Sequence, residues 1–99
     1  MVASNETPRP PRFLLGQICA TPGAIEAMQE AGQAPLELLQ RHQRGDWGQV
    51  CPEDSQANEQ ALQDGSRILS VYSLSTGTVV WIITEADRSV TTILLPEEY

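Results

Sequence analysis

Residues Arg67 to Leu95 read RILSVYSLSTGTVVWIITEADRSVTTILL, and their periodicity decides the fold class. Val, Ile, Thr, Tyr and Trp dominate, and two apolar runs, Arg67 to Leu74 and Val79 to Glu85, flank Ser75-Thr76-Gly77-Thr78. That short loop has glycine where a hairpin wants one. Ala86-Asp87-Arg88 then leads to a third run, Val90 to Leu95, which Pro96 stops. Three strands joined this tightly make an antiparallel meander.

Upstream the pattern is helical. Thr21 is placed to cap a helix with Pro22 at its first position, because the hydroxyl accepts an orphan amide and proline has none to leave unpaired. The helix spans about 22 to 31, presents Ala24, Ile25 and Met28 on one side, and ends at Gly32. A second begins near Pro35 with Leu36, Leu38, Leu39 and His42 as its apolar stripe, and stops at Gly45. Asp54 or Ser55 caps a third over about 56 to 64, with Ala57, Ala61 and Leu62 inward and Gly65 at its end. Before them Phe13 to Ala20, FLLGQICA, suits a first strand, with Gly16 marking a bulge or a close backbone approach. The expected class is therefore α+β: a strand, three short helices and a three-stranded antiparallel meander, the helices packed on one face of a small sheet. Residues 1 to 12 hold three of the seven prolines and read as a disordered arm, leaving 13 to 99 as a single domain.

Charge narrows the function classes. Thirteen acids face six bases, every base is arginine, and the formal net charge is -7. Binding to a nucleic-acid backbone gains affinity by counterion release from Lys and Arg, so this balance works against it and favours a basic partner. Cys19, Cys51 and the single histidine are too few and too far apart for a zinc site, and no cofactor motif is present. With no signal segment and no long apolar run, the expectation is a cytoplasmic chain with reduced cysteines, no membrane and no metal.

Two clusters carry the residues suited to chemistry or binding. Arg41 to Gly48, RHQRGDWG, holds the histidine. On a helix Arg41, His42 and Arg44 point in directions about 100° apart per residue, so only Arg41 and Arg44 share a side. One reading is structural: cations complement the helix dipole, Asp46 caps or pairs locally, and Trp47 fills the core. The other makes His42 a proton-transfer group with an arginine steadying an anion. The second cluster, Thr84 to Thr92, TEADRSVTT, crowds Glu85, Asp87, Arg88 and hydroxyls at one corner. Were it to meet His42, histidine, arginine and threonine together would resemble the equipment of metal-independent ribonucleases, with a general base and donors for a pentacoordinate phosphate. Arg41, Arg44, Asp46, Trp47, Glu85, Asp87 and Arg88 are the candidate protein-binding residues. Tyr72 and Trp81 on neighbouring strands suit a core or cross-strand pair better than base stacking, since no basic residues surround them.

Four strings, LGQICATPGAIEAM, LLQRHQRGDWG, DGSRILSVYSL and WIITEADRSVTTILLPEEY, in this order resemble the small bacterial "plasmid-related" proteins of unknown function, sometimes labelled type I restriction enzyme subunit M. The resemblance covers about 13 to 99 and implies an accessory protein of mobile genetic elements. The chain has no glycine-rich methyl-donor loop and no Asn-Pro-Pro-aromatic motif, so the methyltransferase label does not carry over. The order of helices followed by an antiparallel sheet also resembles the barnase-like and RelE-like ribonucleases, a resemblance that implies His42, Arg67, Arg88 and Thr92 as catalytic candidates, though the chain is acidic where small nucleases of that kind are usually basic. The leading expectation is protein binding rather than catalysis, with an edge strand open to homo-oligomerisation. The alternatives are a ribonuclease using His42 and an acidic nucleic-acid mimic or inhibitor.

Overall fold

The computed structural model describes residues 10–99. Strand β1 (Gln17–Ala20) is followed by helices α1 (Pro22–Ala31), α2 (Pro35–Gln43) and α3 (Pro52–Asp64). Strands β2 (Ile68–Ser73), β3 (Val79–Thr84) and β4 (Val90–Leu94) come next, and a single 3₁₀ turn, Pro96–Glu98, closes the chain. The meander is as expected: β2 pairs β3 and β3 pairs β4, both antiparallel. β1 adds to β4 in parallel, giving a mixed sheet of order β1-β4-β3-β2.

All three helices begin at proline, with the preceding residue extended: Thr21, Ala34 and Cys51 have ψ of 155, 137 and 163°. A proline ring clashes with a helical conformation one residue before it, so each X-Pro step sets a boundary. This corrects the third helix, which starts at Pro52 rather than after Asp54 or Ser55. Asp54 and Glu53 lie in its first turn, where carboxylates complement the helix dipole.

Inward residues alternate along the strands, with Ile83 and Leu94 also buried on the opposite face. Ile68, Ser70 and Tyr72 of β2, Val80, Ile82 and Thr84 of β3, and Thr91 and Ile93 of β4 are buried on one face. Against that face pack Ala24, Ala27 and Met28 of α1 and Leu38 and Leu39 of α2. Trp47, Ala61 and Ile68 form a second cluster with Phe13, Val50 and Leu62 under α3. Three expected inward side chains are not inward: Ile25 and Leu36 are exposed, as is Ala57, whose neighbour Asn58 is buried instead. Tyr72 and Trp81 do not pair, since Tyr72 faces the helices while Trp81 lies on the opposite face against the Tyr99 ring, 5.5 Å away.

β1 is shorter than expected because Gly16 has φ of 67° and breaks the extended run; it is a close approach, with any Cβ falling 2.3 Å from the Ser89 carbonyl oxygen. Among the expected N-terminal arm, residues 1–9 lie outside the described residues. Arg12 is anchored: its amide donates to the Gln43 carbonyl at 2.8 Å and its guanidinium forms a two-pronged bond with Glu59. Among the described residues no helix is long and apolar enough to cross a membrane.

The outer edge of β2 is closed. The Asn58 side chain donates to the Leu69 carbonyl at 2.7 Å and accepts from the Leu69 amide at 3.1 Å. Two residues on, the Val71 amide donates to Trp47 and the Val71 carbonyl accepts from Gln49, at 3.0 and 2.7 Å. Gly48 permits that approach, since a Cβ there would lie 1.9 Å from the Val71 oxygen.

Candidate functional site

The last turn of α2 carries His42 beneath the sheet, where its ring is 0% exposed. Both ring nitrogens are engaged: Nδ1 lies 2.6 Å from Ser70 Oγ and Nε2 lies 2.9 Å from Thr84 Oγ1. Thr84 Oγ1 is 2.7 Å from Thr91 Oγ1, and Thr91 donates to the Leu15 carbonyl at 2.7 Å. A hydroxyl has one proton, which fixes the whole chain of donors. Thr91 spends its proton on Leu15 and so accepts from Thr84. Thr84 in turn accepts from His42 Nε2–H, and Nδ1, bare in the neutral ring, accepts from Ser70. The network joins α2, β2, β3, β4 and the segment entering β1, and a neutral histidine protonated on Nε2 completes it.

The electrostatics agree with that protonation state. Burial, and secondarily the positive charge of Arg88, hold the His42 pKa down at about 3. The Phe13 ring meets His42 edge-on at 5.1 Å, stacks on Trp47 at 6.2 Å and receives the Arg88 guanidinium at 5.8 Å. The imidazole is thus walled by aromatic rings rather than opened to a cleft.

Of the four candidate ribonuclease residues, His42 and Arg88 are brought near one another, with the Phe13 ring packed against both. Arg67 and Thr92 are not. Thr92 follows Thr91 on the strand and projects from the other face, and Arg67 bonds Tyr99 Oη and Glu85 on that side, at 2.9 and 3.3 Å. Of the hydroxyls joined to His42, those of Thr84 and Thr91 belong to the second cluster of the sequence, while Ser70 lies outside both clusters. Their signal was polar residues at inward positions of strands whose other inward residues are apolar, alongside a lone histidine on an apolar helix stripe.

The side chains of the candidate binding residues other than Arg44 are engaged within the fold. Arg41 Nε donates to Asp46 Oδ2 at 2.7 Å, and its guanidinium lies 4.6 Å from the Tyr72 ring centre. The bond from Arg41 holds the Asp46 carboxyl below its ordinary pKa. Tyr72 donates to the Asp46 carbonyl at 2.6 Å, and burial pushes its phenol up to about 12. Trp47 is buried and donates to Glu59 at 3.1 Å. Arg44 forms the half-buried cap of α2. At the other corner Asp87 accepts from the amide and hydroxyl of Ser89, which lowers its pKa. Arg88, at φ of 61°, donates to the carbonyls of Ser66, Glu85, Ala86 and Ala61. Glu85 is tied to Arg67.

Among the described residues no three of His, Cys, Asp and Glu gather as metal ligands would, and Cys19 and Cys51 are both free and exposed. Comparison with protein-family models, with curated proteins and with solved structures finds no match to this chain.

Proposed function

We propose that this chain is a small accessory protein of mobile elements that works by binding a basic protein partner rather than by catalysis. The observation that carries the reading is how the arginines are spent. Of the five arginines among the described residues, Arg12, Arg41 and Arg67 each pair with a carboxylate and Arg88 is bound up with backbone carbonyls, leaving Arg44 as the one with no side-chain bond to a described residue. Glu26 and Glu30 of α1, Glu37 of α2, and Glu53 and Asp54 of α3 stand exposed on the helical layer. An unopposed negative surface steers a cationic partner and discourages nucleic acid. A buried, neutral His42 supports the non-catalytic side of the proposal, since general acid–base work needs a group within hydrogen-bond reach of a substrate. The acids are distributed over the three helices, the β3–β4 corner and the C-terminal turn, a spread that gives the nucleic-acid mimic no support.

The test is a pull-down from a bacterial host at low and high salt, repeated with Glu26→Lys, Glu30→Lys and Glu37→Lys combined. A basic partner that is retained at low salt, released by salt and lost with the charge reversal is expected. No partner above background, or a partner indifferent to both changes, rejects the reading. Prolonged incubation of the pure protein with RNA should leave the RNA intact; cleavage that His42→Gln abolishes would establish the ribonuclease instead.

A further inference from the structure

The two edges of the sheet are treated oppositely. Along β2, both backbone groups of Leu69 and of Val71 are bonded by Asn58, Trp47 and Gln49. Along β1, none of the described residues does the same. The amides of Gln17 and Thr21 donate to Ser89 and Ile93 at 2.8 and 3.0 Å, which sets the alternation. Gln17, Cys19 and Thr21 address β4, so the amides and carbonyls of Ile18 and Ala20 point outward. An open row of such groups is a template for another strand.

We propose that a second copy of this chain occupies that edge, β1 pairing antiparallel with its two-fold mate in the register that sets Cys19 opposite Cys19. Chain geometry selects the register. Centring on Cys19 sets Ile18 against Ala20 of the mate and Ala20 against its Ile18, so every outward amide and carbonyl of the two residues is bonded. Centring on Ala20 would set Ile18 against Pro22, which has no amide and begins α1. Centring on Ile18 would set Ala20 against Gly16, whose φ of 67° is off the extended path.

Charge selects a copy of this chain as the occupant. No charged residue occurs between Arg12 and Glu26, so on a chain of net charge -7 this is a place where two identical molecules meet little repulsion. Apolar surface adds to it: Ile18 is 44% and Ile25 45% exposed, and only Thr21 separates β1 from α1. A foreign basic protein has no charge to answer along this edge and is better served by the acidic helices. The pairing stands whether or not such a partner exists.

The register makes Cys19 its reporter. Residues opposed in a non-hydrogen-bonded antiparallel pair have Cα atoms about 4.5 Å apart, within the range of about 4.4 to 6.8 Å that a disulfide spans. Sedimentation of the reduced protein across a concentration series should show a monomer giving way to a dimer. Ile18→Lys, at an exposed position whose amide does not bond β4, should remain folded by circular dichroism and shift the dimer midpoint at least tenfold upward. Diamide should link the Cys51→Ser chain, which retains Cys19, into dimers many-fold faster than the Cys19→Ser chain, which retains Cys51. A monomer at every concentration, a dimer unaffected by Ile18→Lys, or crosslinking no faster through Cys19 than through Cys51 would overturn the proposal.

Discussion

His42 Nε2 donates to Thr84 Oγ1 across 2.9 Å at a point where neither group meets water. The bond joins α2 to the centre of the sheet, and its direction is imposed by a proton that Thr91 delivers to Leu15 three links away. A buried polar chain of this kind adds stability only when every member is satisfied. Among the described residues no buried side-chain nitrogen or oxygen lacks a partner.

Stability should therefore fall as the medium is acidified, in a window that His42 owns. The folded pKa of about 3 lies below the unfolded value of 6.5, so between them the unfolded chain holds a proton that the folded chain refuses. That contribution is full above pH 6.5 and is lost as pH falls toward 3. The slope is about 1.4 kcal/mol per pH unit for one proton. The paired carboxylates Asp46, Glu59 and Glu98, whose pKa values are lowered from 3.8 or 4.5, add their losses as pH falls through about 4.5 and below, so the upper part of the window belongs to His42. Urea titrations at pH 4.5 to 6.5 should show the slope, and His42→Gln should flatten it. A wild-type curve flat across that window would refute the neutral, sealed histidine.

Asn58 is predicted to matter as a substitute strand. Asn58→Ala removes both bonds to Leu69 and should cost about 1 to 3 kcal/mol by urea denaturation. Asn58→Asp should cost more at pH 7, because a carboxylate keeps the acceptor but sets an oxygen against the Leu69 carbonyl. The gap between the two variants should narrow in acid, where the protonated carboxyl donates again. Equal stability of Asn58→Asp and the parent at pH 7 would remove the role assigned to the amide.

The same position shows where the sequence could and could not be read. Strands β2 to β4 are legible because runs rich in Val, Ile, Thr, Tyr and Trp lie between turn residues, and α1 because Thr21-Pro22 and Gly32 mark both ends. β1 joining β4 in parallel is not, since pairing between segments so far apart leaves no trace in local periodicity. Ala57 and Asn58 illustrate the limit within one helix: an apolar residue was the natural choice for the inward position, yet a free edge on β2 rewarded an amide there. For His42, spacing alone placed it beside Leu38 and Leu39. Only tertiary packing supplied Ser70 and Thr84, which turn a candidate base into a tie.

Gly48 should tolerate no side chain. Its φ of 75° costs a non-glycine residue roughly 1 to 2 kcal/mol, and the Cβ of alanine would also collide with the Val71 carbonyl. Gly77, at φ of 92° but facing open space, isolates the conformational part. Gly48→Ala should therefore lose clearly more stability than Gly77→Ala in parallel thermal melts. Equal losses would mean that the segment from Trp47 to Gln49 does not sit on β2.

Arg88 offers the sharpest division between a binding arginine and a structural one. Its guanidinium reaches the carbonyls of Ala61, at the end of α3, and of Ser66, Glu85 and Ala86 around it, at 2.6 to 3.3 Å. A planar fork can donate in several directions at once, whereas an ammonium is a compact point donor. Arg88→Lys keeps the charge and loses the fork, so it should destabilise the chain by about 1 to 3 kcal/mol, approaching Arg88→Ala. Arg88→Gly relieves the φ of 61° and should recover part of the loss relative to alanine, since glycine adopts that conformation without strain. Stability measured by urea unfolding at pH 7 thus has an expected order: the parent first, alanine last, and lysine and glycine between them. An arginine held only for its charge would leave the lysine variant as stable as the parent, and that result would return Arg88 to the list of groups free to meet a partner.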